Sequence, residues 1–518
     1  MIRSFYDKIS SPDAYLALIS GILLTLSFPR FSLSGLAFVA LIPILYAVTR
    51  CDRKNSSFFS GFIAGLVFYL GTIYWLTVTM ERYGDLPRVF SLMILLLLSS
   101  YLALYFGIFA WGVGRMERQR IPLLIGAPPL WVALEYARGH LLTGFPWALL
   151  GYSQYKNLLL IQVSDVTGVY GVGFLVVLIN VVFYEVLRSL KRRERFRHLV
   201  VSLGGVILLL LFVAAYGAIR LRSCRNSVPE ATIRVGIVQG NIEQKEKWDP
   251  AFREKILSIL TRLSRRTLAE KPDLIIWPEA AVPFFFTADR ENQSRLLALI
   301  DDLGVDLLFG SPDLRIRKGK EEYFNSVFLV SPGARLRGKY DKLHLVPFGE
   351  YVPLRRALFF VHPLIDQIGD MTPGRRITLM ETDKGKCGTP ICYEIILPDL
   401  VRRFVKEGAD FIATLTNDDW FGRSSAPYQH FSMAVFRAVE NRVPLVRAAN
   451  SGISGAVMPD GRIAHATKIF MEDAFTVDLP LRQHSRTLYT RFGDVFAWLC
   501  IVCAVLLLAR TFLPMKRS

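Results

Sequence analysis

Cysteine is scarce in this 518-residue chain. Its six thiols (Cys51, Cys224, Cys387, Cys392, Cys500 and Cys503) lack the paired short spacings that hold zinc. That argues against a disulfide framework and a metal site. Acidic residues also run short, 44 Asp and Glu against 62 Lys and Arg, for a formal charge of +18. A basic excess of this size suits nucleic acid when it forms a patch with interleaved aromatics. Here the basic residues mostly flank apolar runs, where they read as topology signals. No small-residue cleavage site follows the first apolar run, so it reads as a retained helix and not a secretory leader. Ionisable residues are nearly missing from inside the apolar runs. Glu135, near the end of one, is almost the only acidic residue there, which argues against a transporter or channel carrying a sensor domain.

What is present is apolar length. Hydrophobic residues make up 52% of the chain and the mean hydropathy is +0.34, too oily for a wholly soluble protein. Runs of the roughly 20 residues needed to cross a bilayer recur through the first 220 positions and once at the end. Spans are expected at 12–28, 33–49, 58–79, 89–113, 121–138, 166–187, 199–219 and 494–513. Pro122, Pro128, Pro129 and Glu135 interrupt the fifth, which admits a kinked or re-entrant segment. Basic residues collect in alternate connections: Arg50, Arg53 and Lys54, then Arg115, Arg118 and Arg120, then Arg188 to Arg197. Positive-inside therefore puts both termini in the cytoplasm and the polar insert of about 220–490 on the opposite face. The aromatic Gly/Pro-rich stretch 139–152 suits an interfacial anchor belt, or, in a sharper reading, a lipid-facing substrate entrance at Trp147.

The insert has a different grammar. Short apolar runs at 233–239, 274–277, 305–310, 326–330 and 411–416 read as strands covered on both faces. Helical patterns at 250–269, 291–303, 396–407 and 428–441 alternate with them, and Pro459-Asp460-Gly461 predicts a hairpin. The expected fold is a multi-span α-helical membrane domain (1–219) with an α/β domain (220–490) and a final helix and tail (491–518).

Three stretches carry the chemistry. Trp277-Pro278-Glu279 ends an apolar strand in a carboxylate. Lys342 precedes His344-Leu345-Val346-Pro347-Phe348-Gly349-Glu350, and Cys392-Tyr393-Glu394 follows Thr389-Pro390-Ile391 at a strand-to-helix turn. A thiol nucleophile, a carboxylate base and an ammonium for the oxyanion suffice for acyl transfer through a thioester. Taken singly, Cys392 reads as a buried structural cysteine, Glu279 as a solvated strand end and Lys342 as one more surface charge. An extended 388–391 keeps the Cys387 and Cys392 sulfurs apart, so two free thiols are expected.

The ordered set resembles the nitrilase (carbon-nitrogen hydrolase) superfamily. With the flanking spans and Pro347-Phe348-Gly349-Glu350-Tyr351-Val352-Pro353, the whole chain resembles the bacterial apolipoprotein N-acyltransferase family. The resemblance implies a nitrilase-like αββα sandwich and a catalytic triad of Glu279, Lys342 and Cys392. Glu350, Tyr393 and Glu394 would support it, and Trp147, Trp248, Asn417 and Trp420 would bind substrate, with ordinary packing favoured for Trp248. It implies no cofactor and no metal. The donor would be a phospholipid, typically phosphatidylethanolamine, and the acceptor a diacylglyceryl-modified apolipoprotein. The setting would be the bacterial inner membrane, with the insert in the periplasm. The aromatic clusters Leu358-Phe359-Phe360 and Phe284-Phe285-Phe286 read either as loops that dip into the interface or as core packing. The alternative is a membrane-bound C-N hydrolase, an amidase or nitrilase acting on a small substrate.

Overall fold

The computed structural model describes residues 12–50, 54–192, 196–351, 371–481 and 486–513. The chain divides into a helical unit (Met1–Thr77, Leu86–Arg222, Phe492–Ser518) and an α/β unit (Val78–Asp85, Ser223–Arg491).

In the helical unit each expected apolar stretch is largely helical, including Pro12–Ser27, Lys54–Thr72, Arg88–Arg118, Leu123–His140, Val169–Arg192, Phe196–Asn226 and Val495–Arg510. By length and composition, Arg88–Arg118, Val169–Leu190 and Leu203–Asn226 suffice to cross a membrane among the described residues. The bent pair Ser56–Thr72 and Trp75–Tyr83 makes a fourth if it counts as one span. Leu123–His140 runs through Pro128 and Pro129 as one helix. Close helix packing needs glycine: a Cβ on Gly61 would lie 2.4 Å from the Phe106 carbonyl oxygen, so Lys54–Thr72 and Arg88–Arg118 meet backbone to backbone. The outward faces stay apolar, with Met93, Leu96, Leu97, Leu208, Leu211 and Phe212 all exposed, as lipid contact requires.

The α/β unit contains two six-stranded mixed sheets. The first has the order β12-β1-β2-β3-β4-β5. Its strands are β1 (Ala231–Gln239), β2 (Leu274–Ile276), β3 (Asp306–Arg317), β4 (Lys320–Ser331), β5 (Arg335–Asp341) and β12 (Asp473–Leu481). The second has the order β11-β10-β9-β8-β7-β6. It comprises β6 (Met380–Glu381), β7 (Lys386–Gly388), β8 (Phe411–Thr416), β9 (Leu445–Ala449), β10 (Gly455–Val457) and β11 (Ile463–Ala466). In each sheet three central strands are parallel: β1, β2 and β3 in one, β7, β8 and β9 in the other. Among these, β2 and β8 are buried along their whole length, and β2 is apolar at every position. The sheets meet at β1 and β9. Arg253–Leu268 covers β1 and β12, and Ala426–Asn441 covers β9, giving the αββα layering. The hairpin expected around Gly461 is β10–β11, antiparallel, with Gly461 at φ 85°.

One of the two readings of the 284–286 cluster is overturned here. Phe284 and Phe286 do not form an interfacial loop but lie in the core. The Phe286 ring centroid is 5.1 Å from that of Phe309 and 5.0 Å from that of Phe328. Two of the three successive aromatics fill the core, while Phe285, partly buried, packs on Tyr323 with ring centroids 5.9 Å apart. Leu358-Phe359-Phe360 lies outside the described residues.

Candidate active site

Parallel strands end together, and their C-terminal ends gather whatever side chains the following turns carry. Glu279 lies three residues beyond β2. Its turn is drawn against β3, where the Gly310 amide donates to the Pro278 carbonyl at 3.2 Å. A Cβ on Gly310 would come within 2.4 Å of the Ala280 nitrogen, so only glycine permits this approach. Lys342 directly follows β5 and is 1% exposed, no surface charge at all.

Its Nζ lies 2.9 Å from Glu350 Oε1 and 3.6 Å from Glu279 Oε1. Burial opposes the charge, but Glu350 and Glu279 outweigh it and raise the Lys342 pKa, keeping the ammonium permanently charged. Glu350 is anchored in turn by the Val346 amide, which donates to Oε2 at 2.8 Å.

Cys392 opens the turn Cys392–Ile396 after β7, and the Ile391–Leu415 bridge carries the strand pairing up to it. Its φ is 50°, a left-handed conformation costing a non-glycine residue about 1–3 kcal/mol. It is 8% exposed. Burial and the Glu279 charge push its thiol up to about 12, with Lys342 pulling the other way. The resting sulfur is therefore protonated. Cys387 lies fully buried on β7, and both are free thiols.

Glu394 does not face the cleft. Four groups donate to its carboxyl: the Tyr340 hydroxyl (2.9 Å) and the amides of Leu343 (2.7 Å), His344 (2.9 Å) and Ile391 (2.7 Å). Burial raises it to about 7 in spite of these donors. It ties the residue before Cys392 to the two after Lys342. Tyr393 stacks on His344, with ring centroids 5.9 Å apart.

Of the expected substrate contacts, Trp248 is the most open, 48% exposed, and Trp420 is partly buried. Trp147 belongs to the helical unit and is fully buried, 4.8 Å from the Trp75 ring, so it does not face lipid. A bulky aromatic beside Gly and Pro fits an anchor belt and a core equally well on paper. Asn417 is buried and braces a loop, its Nδ2 donating to Gln244 Oε1 at 2.7 Å. The Trp420 ring packs edge-on to Tyr83 at 4.8 Å.

Sequence reasoning missed three groups. Asn325, on β4, donates through Nδ2 to both Glu279 Oε1 (2.8 Å) and Glu350 Oε1 (2.9 Å). Lys247, near the end of the loop after β1, is 1% exposed and donates through Nζ to the Glu279 carbonyl oxygen at 2.9 Å. Behind the nucleophile, His430 Nε2 lies 3.2 Å from the Cys392 carbonyl oxygen, which can only accept, so Nε2 carries hydrogen. His430 Nδ1 lies 3.1 Å from Asp418 Oδ1, and Arg447 Nη2 lies 2.6 Å from Asp418 Oδ2. No spacing in the sequence links these positions. A buried Lys or Asn beside an apolar strand was the available signal.

Two family models match the chain. One, the apolipoprotein N-acyltransferase N-terminal domain, covers residues 20–182, and the other, carbon-nitrogen hydrolase, covers residues 234–487. The apolipoprotein N-acyltransferase of Geobacter metallireducens is 46% identical over 98% of this chain and 96% of its own length. The corresponding protein of Pasteurella multocida is 32% identical over 93% of this chain and 92% of its own. Among solved structures, yeast Nit3, a nitrilase-superfamily member, aligns with 49% of this chain and 92% of its own at 19% identity and a TM-score of 0.38. The assignment rests instead on the family models and the full-length relatives: the chain belongs to the apolipoprotein N-acyltransferase family.

Proposed function

We propose that the chain transfers a fatty acyl group from a phospholipid to the α-amino group of a diacylglyceryl-modified N-terminal cysteine of an apolipoprotein, in two half-reactions. The observation that carries this reading is the buried Glu279–Lys342–Glu350 cluster beside a protonated thiol. A neutral thiol needs a base at the moment of attack, and Glu279 is the carboxylate whose charge Cys392 feels most, ahead of Asp418. Cys392 Sγ adds to the ester carbonyl while Glu279 accepts its proton, and Lys342 faces the developing oxyanion. Glu279 returns the proton to the departing alkoxide, releasing lysophospholipid and leaving an acyl-thioester. The acceptor amine then attacks the thioester, which is the ping-pong order. Glu350 and Asn325 hold Lys342 and Glu279 in place, and the exposed Trp248 ring contacts substrate.

A hydrolase would bring water to the same thioester. The long apolar helices favour lipid as donor instead, and phosphatidylethanolamine is the expected species. On this reading residues 1–219 provide seven membrane helices, 220–490 the catalytic domain and 491–518 the last helix and tail. The catalytic domain faces the periplasm from the inner membrane, and both termini are cytoplasmic.

Intact-mass measurement of the full-length protein mixed with phospholipid tests the reading. A Cys392 acyl adduct that a diacylglyceryl lipopeptide discharges is expected, and Cys392→Ala should form none. A wild-type protein that never acylates, or an active Cys392→Ala variant, overturns the proposal.

A further inference from the structure

Proton balance in the second half-reaction asks for more than one acceptor. An α-amino group reaches the site largely as ammonium near neutral pH. It must lose one proton before its lone pair can attack the thioester carbon, and a second as the amide forms. One of the two ends on the departing Cys392 sulfur. The other must leave the site.

Glu279 can carry the proton that travels from nitrogen to sulfur. The remaining buried groups are mostly committed. Lys342 is held charged by Glu350 and Glu279. Glu350 accepts from Lys342, Asn325 and the Val346 amide, and Glu394 accepts from four donors. His344 Nε2 has no hydrogen-bond partner among the described residues, but burial and the adjacent Lys342 charge both disfavour a proton there. Lys247 differs from all of these. Its Nζ is buried against the Glu279 main chain at 2.9 Å and makes no ion pair among the described residues. A neutral amine can make that hydrogen bond as well as an ammonium can.

We propose that Lys247 is a further catalytic residue, the amine that takes the first proton from the incoming acceptor ammonium. The inference rests on the two-step acyl-transfer reading. Burial pushes Lys247 down to about 8, while the carboxylates of Glu279 and Asp419 favour its protonated form. It therefore exchanges a proton near the pH at which an α-amino group does. Lys247 Nζ accepts the first proton from the acceptor nitrogen. The C–N bond forms as Glu279 takes the second, the C–S bond breaks, and Glu279 hands its proton to the sulfur. Lys247 then releases its own to water, and the sum is amide, free thiol and one proton.

Lys247→Arg tests this, because arginine keeps the charge and a donor for the Glu279 carbonyl but cannot give up its proton. In the full-length protein the variant should form the Cys392 adduct with phospholipid at close to the wild-type rate. It should pass the acyl group to a diacylglyceryl lipopeptide about 100-fold more slowly, a usual contribution for a proton acceptor. Hydroxylamine, a weakly basic amine that arrives already neutral and so has no ammonium proton to lose before attack, should discharge the variant adduct as fast as the wild-type one. Lys247→Gln, smaller and uncharged, should repeat the pattern. Transfer to lipopeptide within about threefold of wild type by Lys247→Arg overturns the proposal. Equal slowing with both amines, or failure of both variants to acylate, also overturns it and makes Lys247 a support for the Glu279 turn. Absence of the adduct in wild type is a different failure, that of the thioester reading itself.

Discussion

Asn325→Asp changes the charge of the site without changing its shape. The Asn325 Nδ2 lies 2.8 Å from Glu279 Oε1 and 2.9 Å from Glu350 Oε1, and an amide between two carboxylates turns its NH2 toward both. The substitution places an oxygen where two N–H bonds were. At about 3 Å and an effective dielectric of about 20, each pair of ionised carboxylates repels by about 6 kcal/mol. A single Lys342 cannot offset two such pairs, so the variant takes up a proton in this cluster. A protonated carboxyl donates one hydrogen bond where the amide donated two. At least one charge-assisted bond is lost, about 1.5–3 kcal/mol, or roughly 10- to 150-fold in acylation rate if the whole loss falls on the transition state. The pH sign follows from the extra proton. It is bound below the raised carboxyl pKa of the variant cluster and lost as pH rises through it, so both activity and stability of the variant should fall relative to wild type as pH rises above the ordinary carboxylate range. Single-turnover acylation followed by intact mass, with denaturant unfolding at the same pH values, measures both. A variant within about twofold of wild type at every pH would refute the bridging role of Asn325.

Glu394→Gln swaps one acceptor oxygen for a donor, so at least one of the buried amides of Leu343, His344 and Ile391 loses its partner. The expected cost is about 1–3 kcal/mol in denaturant unfolding, together with slower acylation because the Lys342 and Cys392 segments are no longer tied. For Cys392, a thiol pushed up to about 12 means that alkylation by iodoacetamide should climb about tenfold per pH unit from about pH 7 to about pH 10. Peptide mass mapping reads the rate, and a plateau near neutrality would reveal a resting thiolate instead.

How much of this was legible in the sequence depended on whether a feature is local. The apolar runs, the β10–β11 hairpin and the strands ending before Glu279 and Cys392 are local patterns and stood out. The pairing of Lys342 with Glu350 spans eight residues within one motif, so the resemblance could carry it. Asn325, Lys247 and His430 come from β4, the loop after β1 and the helix Ala426–Asn441, and only the sheet order brings them to one place. Phe284 and Phe286 show the converse. Aromatic clustering signals burial or interface contact alike, and the packing of Phe286 against the Phe309 and Phe328 rings decided for burial.

The protonated state of Cys392 also bears on its survival between turnovers. Peroxide attacks thiolates, and sulfenic acid is rescued most readily when a second thiol stands ready to form a disulfide. Cys387, the nearest in sequence, is sealed within β7 and cannot serve. An oxidised Cys392 would thus find no resolving thiol in Cys387. Keeping the sulfur as a thiol until Glu279 and a bound ester call on it limits that loss, so the environment that makes Cys392 a reluctant nucleophile at rest also shields it from irreversible damage.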